Sequence, residues 1–213
     1  MNTNSVPTYI AVSLENTETA SLSTWLPLPA TKKQFSEALE RIKAVDGGFA
    51  IAGYTHLVPG MCRKELNLAS LAAVNHLAAR LKKLGEDEIT KLCAIWDTDH
   101  YFCTVAELID YTFNTDSYTL LPDICDAEAL GAYHTGGSGK IAGDARIIGC
   151  IDRRELGLKL AEMENGQFSP FGYITSKIGW DLNETVRRIP HSLNLKGWLG
   201  EDLYGNWKGD YIG

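Results

Sequence analysis

The chain has 213 residues, 45% of them hydrophobic, with 27 acidic against 20 basic side chains and a formal net charge of −7. Such apolar content supports packed cores and excludes wholesale disorder. Met1 to Thr8 is polar and uncharged, and no apolar run approaches the roughly 18 residues of a membrane span, so a soluble, unexported, cytoplasmic protein is expected.

Tyr9 to Leu14 reads as a first strand, separated by a polar turn, Glu15 to Ser23, from Trp25-Leu-Pro-Leu-Pro29. Thr31 caps a helix, Gln34 completes a capping box, and Phe35, Ala38, Leu39 and Ile42 form one apolar stripe before Gly47-Gly48 ends it. A strand follows at Phe49 to His56, with a break at Pro59-Gly60. Leu68, Leu71, Val74, Leu77, Ala78, Leu81 and Leu84 keep helical spacing from an Asn67 cap to Gly85. Glu86, Asp87 and Glu88 then open a helix with Ile89, Leu92, Cys93 and Trp96 inward. Thr104 and Glu107 cap another bearing Val105, Leu108 and Ile109, and an extended Tyr118 to Leu121 closes the group. A short helix from Asp126 to Tyr133 leads into His134-Thr-Gly-Gly-Ser-Gly-Lys140. Asp152 and Glu155 cap a helix with Leu156, Leu160 and Met163 inward, Asn165-Gly166 turns the chain, and Phe171 to Thr175 reads as a strand. The pattern predicts an α+β protein in three small domains: an α/β unit at 1–62, a central helical acidic bundle at 63–125, and an α/β unit at 126–213. The last carries an aromatic, glycine-rich tail containing Trp198, Tyr204, Trp207 and Tyr211, which packs on the body or forms a subunit contact.

Few residues suggest chemistry. Cys62, Cys93, Cys103, Cys125 and Cys150 are odd in number and widely spread, which suits a reducing compartment. A zinc site from Cys93, His100 and Cys103 lacks the usual paired spacing and a second pair. The glycine loop fails as a phosphate cradle, because His134 stands at its first glycine and Ile141 where a hydroxyl residue is required. His56 near Cys62, His100 between Asp99 and Cys103, and His134 build no nucleophile elbow, metal pair or cofactor fingerprint. No enzyme, cofactor or metal is expected, and Arg153, Arg154, Arg187 and Arg188 form no basic stripe for direct nucleic-acid binding.

Charge placement is more informative. Residues 65–150 hold thirteen acids and six bases, equal to the whole net charge, whereas both ends are nearly neutral. Within 86–128 stand Glu86, Asp87, Glu88, Asp97, Asp99, Glu107, Asp110, Asp116, Asp123, Asp126 and Glu128 against the single base Lys91. Each acid has a local explanation as a cap, a helix amino-terminal charge or part of a solvated face. Those explanations do not account for the missing bases. Helical spacing lets Glu107 and Asp110 project together, and Asp123 with Asp126 if that turn is helical.

Several landmarks, in order, resemble the ArdA antirestriction family. Tyr9-Ile-Ala11 with Trp25-Leu-Pro-Leu-Pro29 is similar to its opening strand and Leu-Pro element, and Leu71-Ala-Ala-Val-Asn-His-Leu-Ala78 to its Leu-x-x-x-Asn-x-Leu-Ala helix. Asp126 to Tyr133 and Ile151 to Leu160 resemble its two Leu-Gly helices, and Gly166 to Ile174 also fits. Each motif is short, the match spans roughly residues 9 to 175, and the family is usually more acidic. The resemblance implies three small domains along a curved, elongated molecule, commonly a homodimer. It further implies a DNA mimic that occupies the DNA-binding groove of type I restriction–modification enzymes, the eleven acids forming the mimic surface. The other reading is a non-mimic interaction protein, which inhibits another defence system or regulates conjugation through the aromatic tail. Deleting residues 190–213 separates the two.

Overall fold

The computed structural model describes residues 9–44, 48–58, 71–98, 105–136 and 145–177. The expected caps at Asn67 and Thr104, the break at Pro59-Gly60 and the aromatic tail lie outside these residues. The described chain is a mixed α+β protein with seven helices and two three-stranded antiparallel sheets. It separates into two compact units, the first holding the described residues before Gly85 with Val105 to Thr112, the second the remainder.

In the first unit, strands β1 (Ile10–Asn16), β2 (Ser23–Leu28) and β3 (Phe49–His56) pair in the order β2-β1-β3. Period-two alternation buries Ile10, Val12 and Leu14 on one face of the central strand. Helix α1 (Lys32–Arg41) starts at the predicted capping box: the Gln34 amide donates to Thr31 Oγ1 (3.3 Å), and the Thr31 amide donates to Gln34 Oε1 (2.8 Å). Its stripe of Phe35, Ala38 and Leu39, continued by Ile42, is buried, each large side chain contributing ~1.5–3 kcal/mol. The helix ends before the glycines expected to stop it. Lys43 takes a left-handed φ of 57°, and the Ile42 and Ala44 amides donate back to the Ala38 and Leu39 carbonyls.

Helix α2 (Leu71–Leu81) docks through Asn75, whose Oδ1 accepts from the Ala30 amide (2.7 Å) and whose Nδ2 donates to the Ala30 carbonyl (3.1 Å). Asn75 is fully buried, so these bonds satisfy backbone groups that water cannot reach. Helix α4 (Val105–Phe113) buries the predicted Val105, Leu108 and Ile109, and Arg80 donates to the Thr112 hydroxyl (3.2 Å) and carbonyl (2.9 Å) near its end.

The second unit is built on β4 (Tyr118–Leu121), β5 (Gln167–Ser169) and β6 (Gly172–Ser176), ordered β4-β6-β5. Helix α3 (Glu86–Thr98) lies on this sheet with Leu92, Cys93, Ile95 and Trp96 buried. Its apolar face is spent here, so the helices drawn together as one central domain are divided: α2 and most of α4 belong to the first unit, α3 to the second. Helix α5 (Ala127–Thr135) and helix α7 (Arg153–Met163) cross antiparallel at very close range, with the short α6 (Ala145–Ile148) between them in sequence. A methyl group at Gly131 would sit 1.9 Å from the Arg153 carbonyl oxygen, and one at Gly157 1.8 Å from that of Ala127. This contact centres the buried face of α7 on Gly157 and Ala161. Met163, roughly 200° around the helix from Ala161, is 82% exposed rather than inward, while Leu156 and Leu160 are half-buried. No helix among the described residues is long and apolar enough to cross a membrane.

Candidate functional site

Ten of the eleven predicted acids are described; Asp99 lies outside. Glu86, Asp87, Glu88, Asp97, Asp116, Asp123, Asp126 and Glu128 belong to the second unit, Glu107 and Asp110 to the first, so the eleven do not share one body.

Glu86 and Asp87 are exposed in the first turn of α3, where the helix dipole favours negative charge. Glu88 is half-buried, and its Oε2 accepts from the Gly85 amide (3.0 Å). A one-turn 3₁₀ helix, Thr115–Ser117, meets this end of α3, with Thr115 Oγ1 3.5 Å from Glu88 Oε1. Its Asp116 is exposed, so the turn that meets Glu88 adds a carboxylate to the acids at this end of α3.

From there β4 runs four residues, at ~3.3 Å each, to a second group. Asp123 is exposed in a turn, Asp126 caps α5 by accepting from the Ala129 amide (2.8 Å), and Glu128 is exposed in that helix's first turn. Because Asp126 is the cap and α5 begins at Ala127, Asp123 and Asp126 do not share a helical face. Asp97 is half-buried near the far end of α3. In α4, Glu107 is exposed, but Asp110 is half-buried with Oδ1 enclosed, so these two do not project together into solvent.

Lys91, the single base of the segment, donates to the Thr115 carbonyl (3.3 Å), and Lys177, just after β6, donates to the Asp116 carbonyl (2.8 Å). Neither pairs with a carboxylate among the described residues. Lys33 pairs with Glu37 and Lys159 with Glu155, both pairs outside the acidic segment. Among the described residues, Glu86, Asp87, Asp116, Asp123, Asp126 and Glu128 form no ion pair.

The other titratable groups are structural in setting. His56 stacks on Tyr54 with ring centres 5.9 Å apart; burial lowers its pKa, partly offset by a backbone hydrogen bond at Val58. His134 is buried against the Tyr133 ring at 5.4 Å. Burial, reinforced by the positive charges of Arg80 and Lys83, holds His76 down to about 4, so it is neutral near pH 7. Cys93 is buried, whereas His100 and Cys103 lie outside the described residues, as does most of the glycine loop. Among the described residues no three His, Cys, Asp or Glu side chains converge as a metal site.

Sequence reasoning missed the Gly131–Gly157 crossing, the Asn75 clamp and the roles of Lys91 and Lys177. Only the crossing left a signal, a glycine inside each of two helices, where glycine costs about 1 kcal/mol against alanine and calls for a packing reason. The chain matches no family model, and no curated protein matches it.

Proposed function

We propose that this chain is an antirestriction protein of the ArdA kind, which imitates the charge of DNA and occupies the DNA-binding groove of a type I restriction–modification enzyme, protecting mobile DNA. The observation that carries this reading is the set of six solvent-facing carboxylates in the second unit, all left unpaired among the described residues while the segment's one base is turned onto a backbone carbonyl. Enzymes that grip duplex DNA do so with Lys and Arg, set against about one negative charge per 1.7 Å of axis. Carboxylates accept paired hydrogen bonds from Arg much as phosphates do, so fixed carboxylates compete for the same cations. The ordered motifs from Tyr9 to Ile174 support the same reading. On this reading the protein acts without catalysis or cofactor, as a cytoplasmic homodimer.

The test is protection of unmodified DNA from a purified type I enzyme. Reversing Glu86, Asp87, Asp116, Asp123 and Glu128 to Lys should raise the concentration needed for protection at least about a hundredfold, since like charges then face each other. Asp110 and the capping Asp126 are left alone, because changing them would disturb the fold. Undiminished protection by the folded, reversed protein would end this reading, as would failure of the parent protein to protect.

A further inference from the structure

We infer that Lys91 and Lys177 are positioning residues of the acidic surface: cations whose task is to hold the Thr115–Ser117 turn, and with it Asp116, against the amino-terminal half of α3. This rests on the proposed mimicry of DNA and adds to it the means by which one acidic group keeps its shape.

The geometry is specific. Lys91 reaches from the second turn of α3 to the Thr115 carbonyl (3.3 Å), and Lys177 reaches from the end of β6 to the next carbonyl along, that of Asp116 (2.8 Å). The Lys177 amide also donates to the Ser117 carbonyl (2.8 Å), continuing the β4–β6 ladder by one bond. Two ammonium groups from different elements therefore grip successive carbonyls of a turn that lacks a side-chain cap at its own amino terminus. Carbonyl oxygens are weaker partners for an ammonium than the carboxylates nearby. Yet Glu86, Asp87 and Asp116 are without ion pairs among the described residues. Directed at the backbone, each lysine restrains the turn while leaving the carboxylates open to a partner.

A held turn and a bare charge predict opposite signs. Replacing both lysines with Met makes the surface more negative by two charges, so a surface acting only through its net charge should bind a cationic partner more tightly. A surface that depends on a held turn should bind less tightly. We expect Lys91→Met with Lys177→Met to raise the concentration needed for DNA protection about tenfold, the equivalent of ~1.4 kcal/mol. Lys91→Arg with Lys177→Arg, which keeps both donors, should restore it. Amide hydrogen exchange at residues 115–117 should quicken in the Met variant and return to the parent rate in the Arg variant. Lys177 is exposed, so Lys177→Met alone keeps the fold and should show the same directions in smaller measure. Protection that is unchanged or improved in the Met variants overturns the inference, as does unaltered exchange in the turn. The five-acid reversal run alongside separates the two levels. If it abolishes protection while the Met variants do not, the lysine role fails and the mimic stands; if it has no effect, the mimic itself fails.

Discussion

Both units set helices against a three-stranded antiparallel sheet, but the first fixes its helices with buried side-chain hydrogen bonds and the second with the absence of side chains. In the first, Asn75 holds α2 to Ala30, and Asn16 donates to the Ile42 and Lys43 carbonyls (2.9 and 3.2 Å) while accepting from the Glu18 and Thr19 amides. In the second, α5 and α7 meet backbone to backbone at Gly131 and Gly157. The units also differ in charge, since eight of the ten described acids of the segment belong to the second.

The glycine crossing should be the most fragile point. In Gly157→Ala the new methyl would lie 1.8 Å from a carbonyl oxygen, and only movement of a whole helix relieves it. Overpacking of this kind costs ~3 kcal/mol or more when backbone must shift. Denaturant unfolding of Gly157→Ala and Gly131→Ala should show losses of that size, and a loss under 1 kcal/mol in both would mean the helices are not locked as described.

Next in size is the polar clamp of the first unit. Asn75→Ala strands the Ala30 amide and carbonyl in a buried setting, each at ~1–3 kcal/mol when unsatisfied, for a total of about 3 kcal/mol. Asn75→Asp keeps the acceptor and forfeits the donor, so it should also destabilise strongly. If Asn75→Ala unfolds at the same denaturant concentration as the parent, the two units are not held by different means.

Acid should separate the units too. His76 has a folded pKa of about 4, below its ordinary 6.5, so between those values the unfolded chain binds a proton that the folded chain does not. Stability is therefore full above pH 6.5, falls as the pH drops, and levels off below about 4. At ~1.4 kcal/mol for each pH unit, the loss is about 2 kcal/mol by pH 5. Unfolding midpoints measured from pH 7 to pH 5 should fall in the parent protein and fall less in a folded His76→Gln variant, whose remaining decline comes from His56, also held below its ordinary value by burial.

What a single sequence discloses follows the same division. Local chemistry was legible: the Thr31–Gln34 box, the Asp152 cap on the Glu155 amide (2.9 Å), and the strands at 49–56 and 118–121 stand as read. Each depends on neighbours within a few residues. Where tertiary contact decides, the reading fell short. Met163 has the spacing of a core residue, but the face of α7 is set by what Gly157 lets approach. Gly47-Gly48 has the composition of a helix stop, but α1 closes earlier, at a lysine in the left-handed region. For the acidic segment, composition revealed the charge but not its partition, because α4 returns to the first unit while α3 stays with the second. Nor could spacing show that Asp110 turns one oxygen inward or that Lys91 grips a carbonyl.

The smallest expected effect tests the acids themselves. Glu86 and Asp123 are both exposed and without ion pairs among the described residues, but their surroundings differ. Glu86 opens a thirteen-residue helix, where a negative charge gains ~0.3–1 kcal/mol from the dipole; that offsets a repulsion of ~0.4 kcal/mol from each like charge about 10 Å away in water. Asp123 occupies a turn beside the acids of α5 and has no helix of its own to offset the repulsion. Asp123→Asn should therefore stabilise the free protein by about 0.5 kcal/mol at low salt, an advantage that fades as salt screens the charges, whereas Glu86→Gln should be neutral or slightly destabilising. Binding to a cationic partner should weaken in both, because the partner meets the charge and not its local support. Opposite signs in thermal stability combined with a shared loss of DNA protection would tie the acids to a partner; parallel changes in stability with no change in protection would reduce them to solvated surface.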